Sequence, residues 1–395
     1  MRLPDWGPTP RPLVYFLGIS LIGWTIYLVN QPRLHTLGDL SRGWYSDHYA
    51  HMNACRAFLF GGVDVWQTPI AQALAPLTPE ERAALPPEIR GGGEQFRLPT
   101  STARKPIAVS WSQLPRPYPP GDFVAVLPVA LLYQWTDLEF RNATRLLVWF
   151  FVLYAHLAVL FFARAAWDSS PPAVLATVLV YFEAIHWALE GFYDSIALVP
   201  LALFALFLSR RQWLLAVLAY SIAAFFHFRA FFFGPLALLP AWHLVQARAW
   251  KQWTRGQWLV AGVTALLSGL ALWTFKTASA ALSSFPLDNP VAWTGPWQSR
   301  VGLFSAAAIC AGVFLYARAW RDLILAGWLL FMAVNLRQAF AWHALLLLPW
   351  LILRPAAADP TRQAVAEPAR WAMVICLATL VFRNGLVPAW LALVP

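Results

Sequence analysis

Charge is scarce in this chain. Asp, Glu, Lys and Arg make up 12% of its 395 residues, well below the ~25% typical of soluble domains. With 59% hydrophobic residues and a mean hydropathy of +0.54, that scarcity excludes an ordinary water-soluble domain. Cysteine is scarcer still: Cys55, Cys310 and Cys376 are scattered, without the spacing of a metal site or a disulfide framework. Acidic residues are few beside basic ones, 19 against 29, which leaves a net charge of +10. In a soluble chain that balance could mark a nucleic-acid partner. Here Lys and Arg fall mostly in short loops between apolar runs, so the positive-inside bias and anionic lipid headgroups account for them, and no nucleic-acid partner is expected. The first apolar run, 13–29, lacks a small-residue cleavage site and reads as a retained span rather than a signal peptide.

What is plentiful is apolar helix-length sequence. Hydrophobic segments recur at 13–30, 123–135, 146–167, 173–187, 196–208, 213–228, 231–244, 258–275, 301–316, 323–334, 341–353 and 371–382. The fold class expected is all-α: a polytopic helical integral membrane protein of about 10–12 such segments, forming one transmembrane domain over 1–395. Many runs fall short of the ~20 residues of a straight span, so some extend into polar neighbours and some do not cross. The 23 tryptophans exceed the needs of a core and suit interfacial belts, with stacking on sugar rings as a second use.

Basic clusters follow roughly every second segment: Arg164, Arg210-Arg211, Arg248/Lys251/Arg255, Arg318/Arg321 and Arg354/Arg362/Arg370. The positive-inside rule places all of them in the cytoplasm and the loop 31–117 outside. Parity then requires that 123–135 not cross completely, as in a re-entrant or half-inserted helix; its 13 residues are too few for a full span.

The long outer loop opens with Gly43 to Trp66. Tyr49, Met52, Cys55, Arg56, Phe58 and Leu59 recur at helical spacing, which predicts an amphipathic helix over 45–60, stopped by Gly61-Gly62 and lying along a membrane surface. Asp47, His48 and His51 stand near its start, Asp47 and His51 on one face. A solvated first turn is the ordinary reading of such residues. Thr78-Pro79-Glu80-Glu81 reads as the start of a second juxtamembrane helix near 79–85.

Under this topology the less ordinary polar residues collect outside. They are Asp47, His48 and His51, Tyr118 in the Pro-Pro turn, Glu190 and Asp194, His227 and Arg229, Asp288, Arg337 and His343. Charges at membrane depth mark functional sites. Arg229 and Arg337 can equally snorkel to the interface, His343 can be a packing residue, and Glu183 can pair with His186. Asp47, His48 and His51 together do not make a closed zinc site, so no metal is assigned, although a divalent ion stays a minor alternative.

A family resemblance rests on an ordered set of motifs. Asp47 precedes Cys55-Arg56-Ala57 and Gly61-Gly62; Tyr118-Pro119-Pro120, Gly191-Phe192-Tyr193-Asp194 and His227-Phe228-Arg229 follow. The order resembles the GT-C glycosyltransferases that use polyprenyl-phosphate sugars, most of all the branch with bacterial mannosyl- and arabinosyltransferases. The resemblance spans nearly the whole chain and is diffuse. It implies a GT-C-like fold in a bacterial inner (plasma) membrane with the active site facing outside. Asp47 would be the catalytic base, and His343 occupies the place of a late site histidine. Several such families carry Asp-x-Asp in the first loop and bind a metal; this chain has Asp47-His48-Tyr49.

The chemistry fits these residues. A carboxylate can take the proton of an acceptor hydroxyl, which gives Asp47 the role of base with His343 or His48 as proton relay. Arg229, His227, Arg337 and Tyr118 are candidates to hold the donor's lipid phosphate, where negative charge develops. Trp44, Trp66, Glu190 and Asp194 are candidates to hold the sugar or acceptor. The expected partners are a polyprenyl-phosphate sugar, membrane lipids, and a lipid, glycan or protein acceptor. Transfer would invert the anomeric carbon in a single displacement. Two other classes compete: a transporter or flippase for lipids or small molecules, and a non-catalytic membrane subunit that binds lipid-linked glycan.

Overall fold

A computed structural model of the chain describes residues 47–85, 94–100, 102, 104–109, 118–167, 196–227, 230, 234–283 and scattered positions between 305 and 326. Within them the chain is mostly helical. The expected segments 13–30, 173–187, 341–353 and 371–382, and nearly all of 323–334, lie outside the described residues.

The outer loop is built around α1, Asp47–Gly61. It starts and stops within two residues of its expected bounds, and Gly62 ends it at φ +64°, a left-handed conformation that glycine adopts without a Cβ clash. Its setting differs from the expected surface helix. His51, Met52, Asn53, Ala54, Cys55, Arg56 and Ala57 are all buried, on every side of the helix. The cover comes from α4 (Gly121–Trp135), strand β3 (Ile107–Val109) and α5 (Phe140–Trp167). Among its described side chains only Phe58 and Leu59, near the end, stay exposed. Periodicity finds a helix face, but here loop and helices enclose the polar face as well.

Short elements follow: α2 (Ile70–Ala73), β1 (Ala75–Pro76), α3 (Pro79–Ala83) and β2 (Glu94–Arg97). The start of α3 is as expected. The Thr78 hydroxyl accepts from the Glu81 amide at 3.1 Å and the Glu81 carboxylate from the Thr78 amide at 3.0 Å, a reciprocal cap with Pro79 in the first turn. The mostly helical chain carries one small sheet at this point. β1, β2 and β3 form an antiparallel sheet in that order, with Phe96 opposite Pro76 on one side and Ile107 on the other. Strands this short cannot display the alternation that identifies a strand in sequence.

Beyond the loop the apolar runs become helices close to their expected bounds: α4, α5, α6 (Leu198–Ser209), α7 (Trp213–Phe226), α8 (Gly234–Gln246) and α9 (Arg255–Ser283). Two stretches, Arg145–Phe162 in α5 and Arg255–Thr274 in α9, are long and apolar enough to cross a membrane; α4, α6 and α7 are apolar but shorter. Half of the α5 stretch is buried, against 11% of the α9 stretch. In α9 two threonines are satisfied within the helix: the Thr264 and Thr274 hydroxyls donate to carbonyls one turn back. Ser221 and Ser268 join α7 to α9 at 2.8 Å.

The ends of α7 separate two kinds of chemistry. At its start, Trp213 stacks on His243 near the end of α8, with ring centroids 4.5 Å apart. The turns holding Arg210-Arg211 and Arg248/Lys251/Arg255 therefore gather at this end, with Arg211 and Arg248 at positive φ. His227 caps the opposite end, about 21 Å away for 14 residues at 1.5 Å each. The basic turns and the His227 end thus stand apart.

Candidate functional site

The site forms where α1, α4 and the end of α7 meet. Pro119-Pro120 leads the chain into α4, and the Phe123 amide donates back to the Pro120 carbonyl at 3.1 Å. Gly121 permits the meeting. A Cβ there would sit 2.4 Å from the Phe225 carbonyl oxygen and 2.6 Å from ring carbons of Phe225 and Phe226. The backbone of α4 therefore lies directly on the last turn of α7, beside His227.

Asp122 is next in sequence, in the first turn of α4, where the helix dipole favours negative charge. Its carboxylate Oδ2 is 2.6 Å from Nδ1 of His51, and both side chains are buried. An isolated buried carboxylate is costly, and this contact supplies a partner. The ring of His51 meets Tyr118 edge-on at 4.7 Å, and Tyr118 lies 6.1 Å from the ring of His227. His227 is buried, whereas Tyr118 is half-buried. An imidazole on a carboxylate, a phenol and a second imidazole thus share one corner. Such groups can hold and move a proton or donate hydrogen bonds to an anion.

Trp66 secures this corner from outside. Its indole Nε1 donates to the Tyr118 carbonyl at 2.8 Å, and its ring packs between Phe58 and Phe123, at 5.2 Å from each. Asp64 holds the preceding turn by accepting from the amides of Trp66 and Gln67. Trp66, expected as a surface for sugar, is 7% exposed, and its indole N–H holds the Tyr118 carbonyl.

A second polar cluster lies further along α1. Arg56 is fully buried, and its five N–H donors all meet acceptors. Nη1 donates to Asn53 Oδ1 (2.8 Å) and the Pro106 carbonyl (3.2 Å), Nη2 to the Lys105 carbonyl (2.8 Å) and Gln134 Oε1 (2.9 Å), and Nε to Gln134 Oε1 (3.2 Å). Its guanidinium also lies over the Tyr133 ring at 4.8 Å, with the Lys105 ammonium 4.1 Å from the same centroid. Burial first, and then the Arg56 charge, holds Lys105 below the ordinary lysine range. This cluster ties the 104–106 segment and the end of α4 to α1.

Of the candidate residues, the structure unites Tyr118 and His227, with Trp66 as their support. Asp47 and His48 belong to the first turn of α1, but their side chains lie outside the described residues. Trp44, Glu190, Asp194, Arg229, Arg337 and His343 lie outside them as well. Among the described residues no group of three or more His, Cys, Asp or Glu side chains could hold a metal ion. Asp122 was not legible as a site residue, and its one signal was an acid at the head of an apolar run. Compared with models of known protein families, with curated proteins and with solved structures, the chain gives no match.

Proposed function

We propose that this is a polytopic helical membrane protein of GT-C type that transfers a sugar from a polyprenyl-phosphate sugar to an acceptor hydroxyl. The reaction occurs on the face opposite the basic turns, in a bacterial inner membrane, with Asp47 as general base. The observation that carries this reading is the polar corner of His51, Tyr118, Asp122 and His227, set at the far end of apolar α7 from Arg210, Arg211 and Arg248.

The membrane setting has its own support in α9. Trp258, Leu259, Val263, Leu266, Leu272 and Trp273 are exposed along a helix whose apolar stretch is only 11% buried. A soluble core helix would be covered, and contiguous exposed apolar surface of this kind suits lipid. For α4, a half-inserted placement is supported by its ends. Its start meets His51 and its end meets Arg56 and Arg104, so the same loop engages both.

Asp47 takes the acceptor's hydroxyl proton as the oxygen attacks the anomeric carbon, and the C–O bond to phosphate breaks with its electrons on the phosphate. His227 and Tyr118 act as donors toward that phosphate, with Arg229 and Arg337 supplying charge. Trp44, Glu190 and Asp194 line the path of sugar or acceptor.

The test is purified protein in nanodiscs with a panel of polyprenyl-phosphate sugars and acceptor lipids. Sugar-dependent release of free polyprenyl phosphate supports the proposal. Tight donor binding without release in any combination points instead to a transporter or a non-catalytic subunit, and no donor binding rejects a lipid-linked donor.

A further inference from the structure

The basic turns at the start of α7 gather four exposed cations, Arg211, Arg248, Lys251 and Arg255. We propose that they form one docking surface for the headgroups of anionic phospholipids. The inference rests on the membrane setting proposed above and not on sugar transfer. No Asp or Glu occurs between Asp194 and Asp288, so α6 to α9 and their turns carry no acid of their own. Among the described residues none of the four cations is in an ion pair. A phosphate-bearing headgroup supplies the charge that complements them.

The needs of the helices do not account for these cations. Arg255 opens α9, the end at which the helix dipole disfavours positive charge. The cap there is reciprocal between Thr254 and the neutral Gln257, so it adds no negative charge. The dipoles of α6 and α8 do favour cations at Arg211 and Arg248. Yet these stand at φ 57° and 45°, left-handed positions that glycine takes without a steric cost and arginine does not.

The two helices that flank the surface grade in the same direction. Along α9, Arg255 is followed by exposed Trp258 and Leu259, then Val263 and Leu266. Along α8 the order runs in reverse: exposed Leu238 and Leu239, then Trp242, with Arg248 after the helix. Exposed Trp250 sits beside Lys251 between them. Cations, indoles and aliphatic side chains thus follow the order of headgroup, interface and hydrocarbon.

The experiment uses the full chain in phosphatidylcholine nanodiscs, with spin-labelled phosphatidylglycerol or spin-labelled phosphatidylcholine as probe. EPR reads the fraction of each label immobilised at the protein. Wild type is expected to immobilise the anionic label preferentially, and added salt to weaken the preference. Lys251→Gln/Arg255→Gln is expected to lower it by about fivefold or more. Arg211→Gly/Arg248→Gly is expected to lower it similarly while unfolding at or above the wild-type temperature, because glycine accepts the positive φ. Arg82→Gln/Arg97→Gln, which removes equal charge from the outer loop, is expected to leave it unchanged. No preference in wild type, equal loss in the outer-loop variant, or loss only together with unfolding overturns the proposal, and the membrane setting then still stands. Displacement of the anionic label by inorganic phosphate beyond that by chloride at equal ionic strength assigns the surface to a free anion and also overturns it. Failure of the chain to enter nanodiscs rejects the membrane setting, and this surface with it.

Discussion

Two buried polar clusters hang from one helix, and they are built for different work. Around Arg56, five donors meet five contacts with neutral oxygens from α1, α4 and the 104–106 segment. Around His51, the central contact is a single carboxylate, with a half-buried phenol and a second imidazole close by. Saturated donors make a latch, because every proton already has a place. An imidazole against a carboxylate is a group that can change its protonation state, which a guanidinium cannot. The comparison teaches that burial alone does not identify a site, whereas the balance of donors and acceptors does.

The largest expected effect breaks the latch. Arg56→Met leaves Asn53 Oδ1, Gln134 Oε1 and the carbonyls of Lys105 and Pro106 without their donor, and each buried acceptor so stranded should cost about 1–3 kcal/mol. Thermal unfolding in detergent should show a large fall. Arg56→Lys should recover little of it, since an ammonium cannot reproduce the planar five-donor fork. Asp122→Asn should move the same unfolding curve less, because the neutral amide is the same size and still offers His51 a hydrogen-bonding group. A comparable loss of stability in the two variants would erase the distinction between the clusters.

Next in size is Gly121→Ala. The new methyl would meet the Phe225 carbonyl at 2.4 Å, and backbone cannot yield as a side chain can. Separation of α4 from α7 should cost about 1–3 kcal/mol, the usual range for overpacking. It should also change the histidine NMR signals of both His51 and His227, which would show that one contact aligns both halves of the site.

Smaller effects lie away from both clusters. Thr78→Ala removes the reciprocal cap of α3 and should cost about 1 kcal/mol, read as faster proteolysis of the outer loop with transfer unchanged. Ser221→Ala removes the α7–α9 hydrogen bond and should cost about 0.6 kcal/mol, the average for such bonds between apolar membrane helices.

The sequence made local features legible. Apolar runs announced α5 to α9, the glycine pair marked the end of α1, and Thr78-Pro79-Glu80-Glu81 announced the cap of α3. It also allowed Tyr118 and His227 to be chosen as partners, on motif order. The remainder depends on contacts between residues remote in sequence. Arg56 and Gln134 are 78 residues apart, and nothing local distinguishes an arginine in a latch from one facing water. Asp122 reads as an acid at the head of an apolar run until His51 is placed against it. Trp66 reads as an open aromatic until Phe58 and Phe123 cover it. Strands of two to four residues carry too little pattern to be seen at all.

The central claim is that α1 begins with the base of a sugar-transfer site. The most direct test compares wild type and Asp47→Asn, each purified in nanodiscs, for release of free polyprenyl phosphate from a matched lipid-linked sugar and acceptor. The account predicts release by wild type and at least a hundredfold slower release by the variant, with donor binding retained in both. Equal turnover by Asp47→Asn would contradict it.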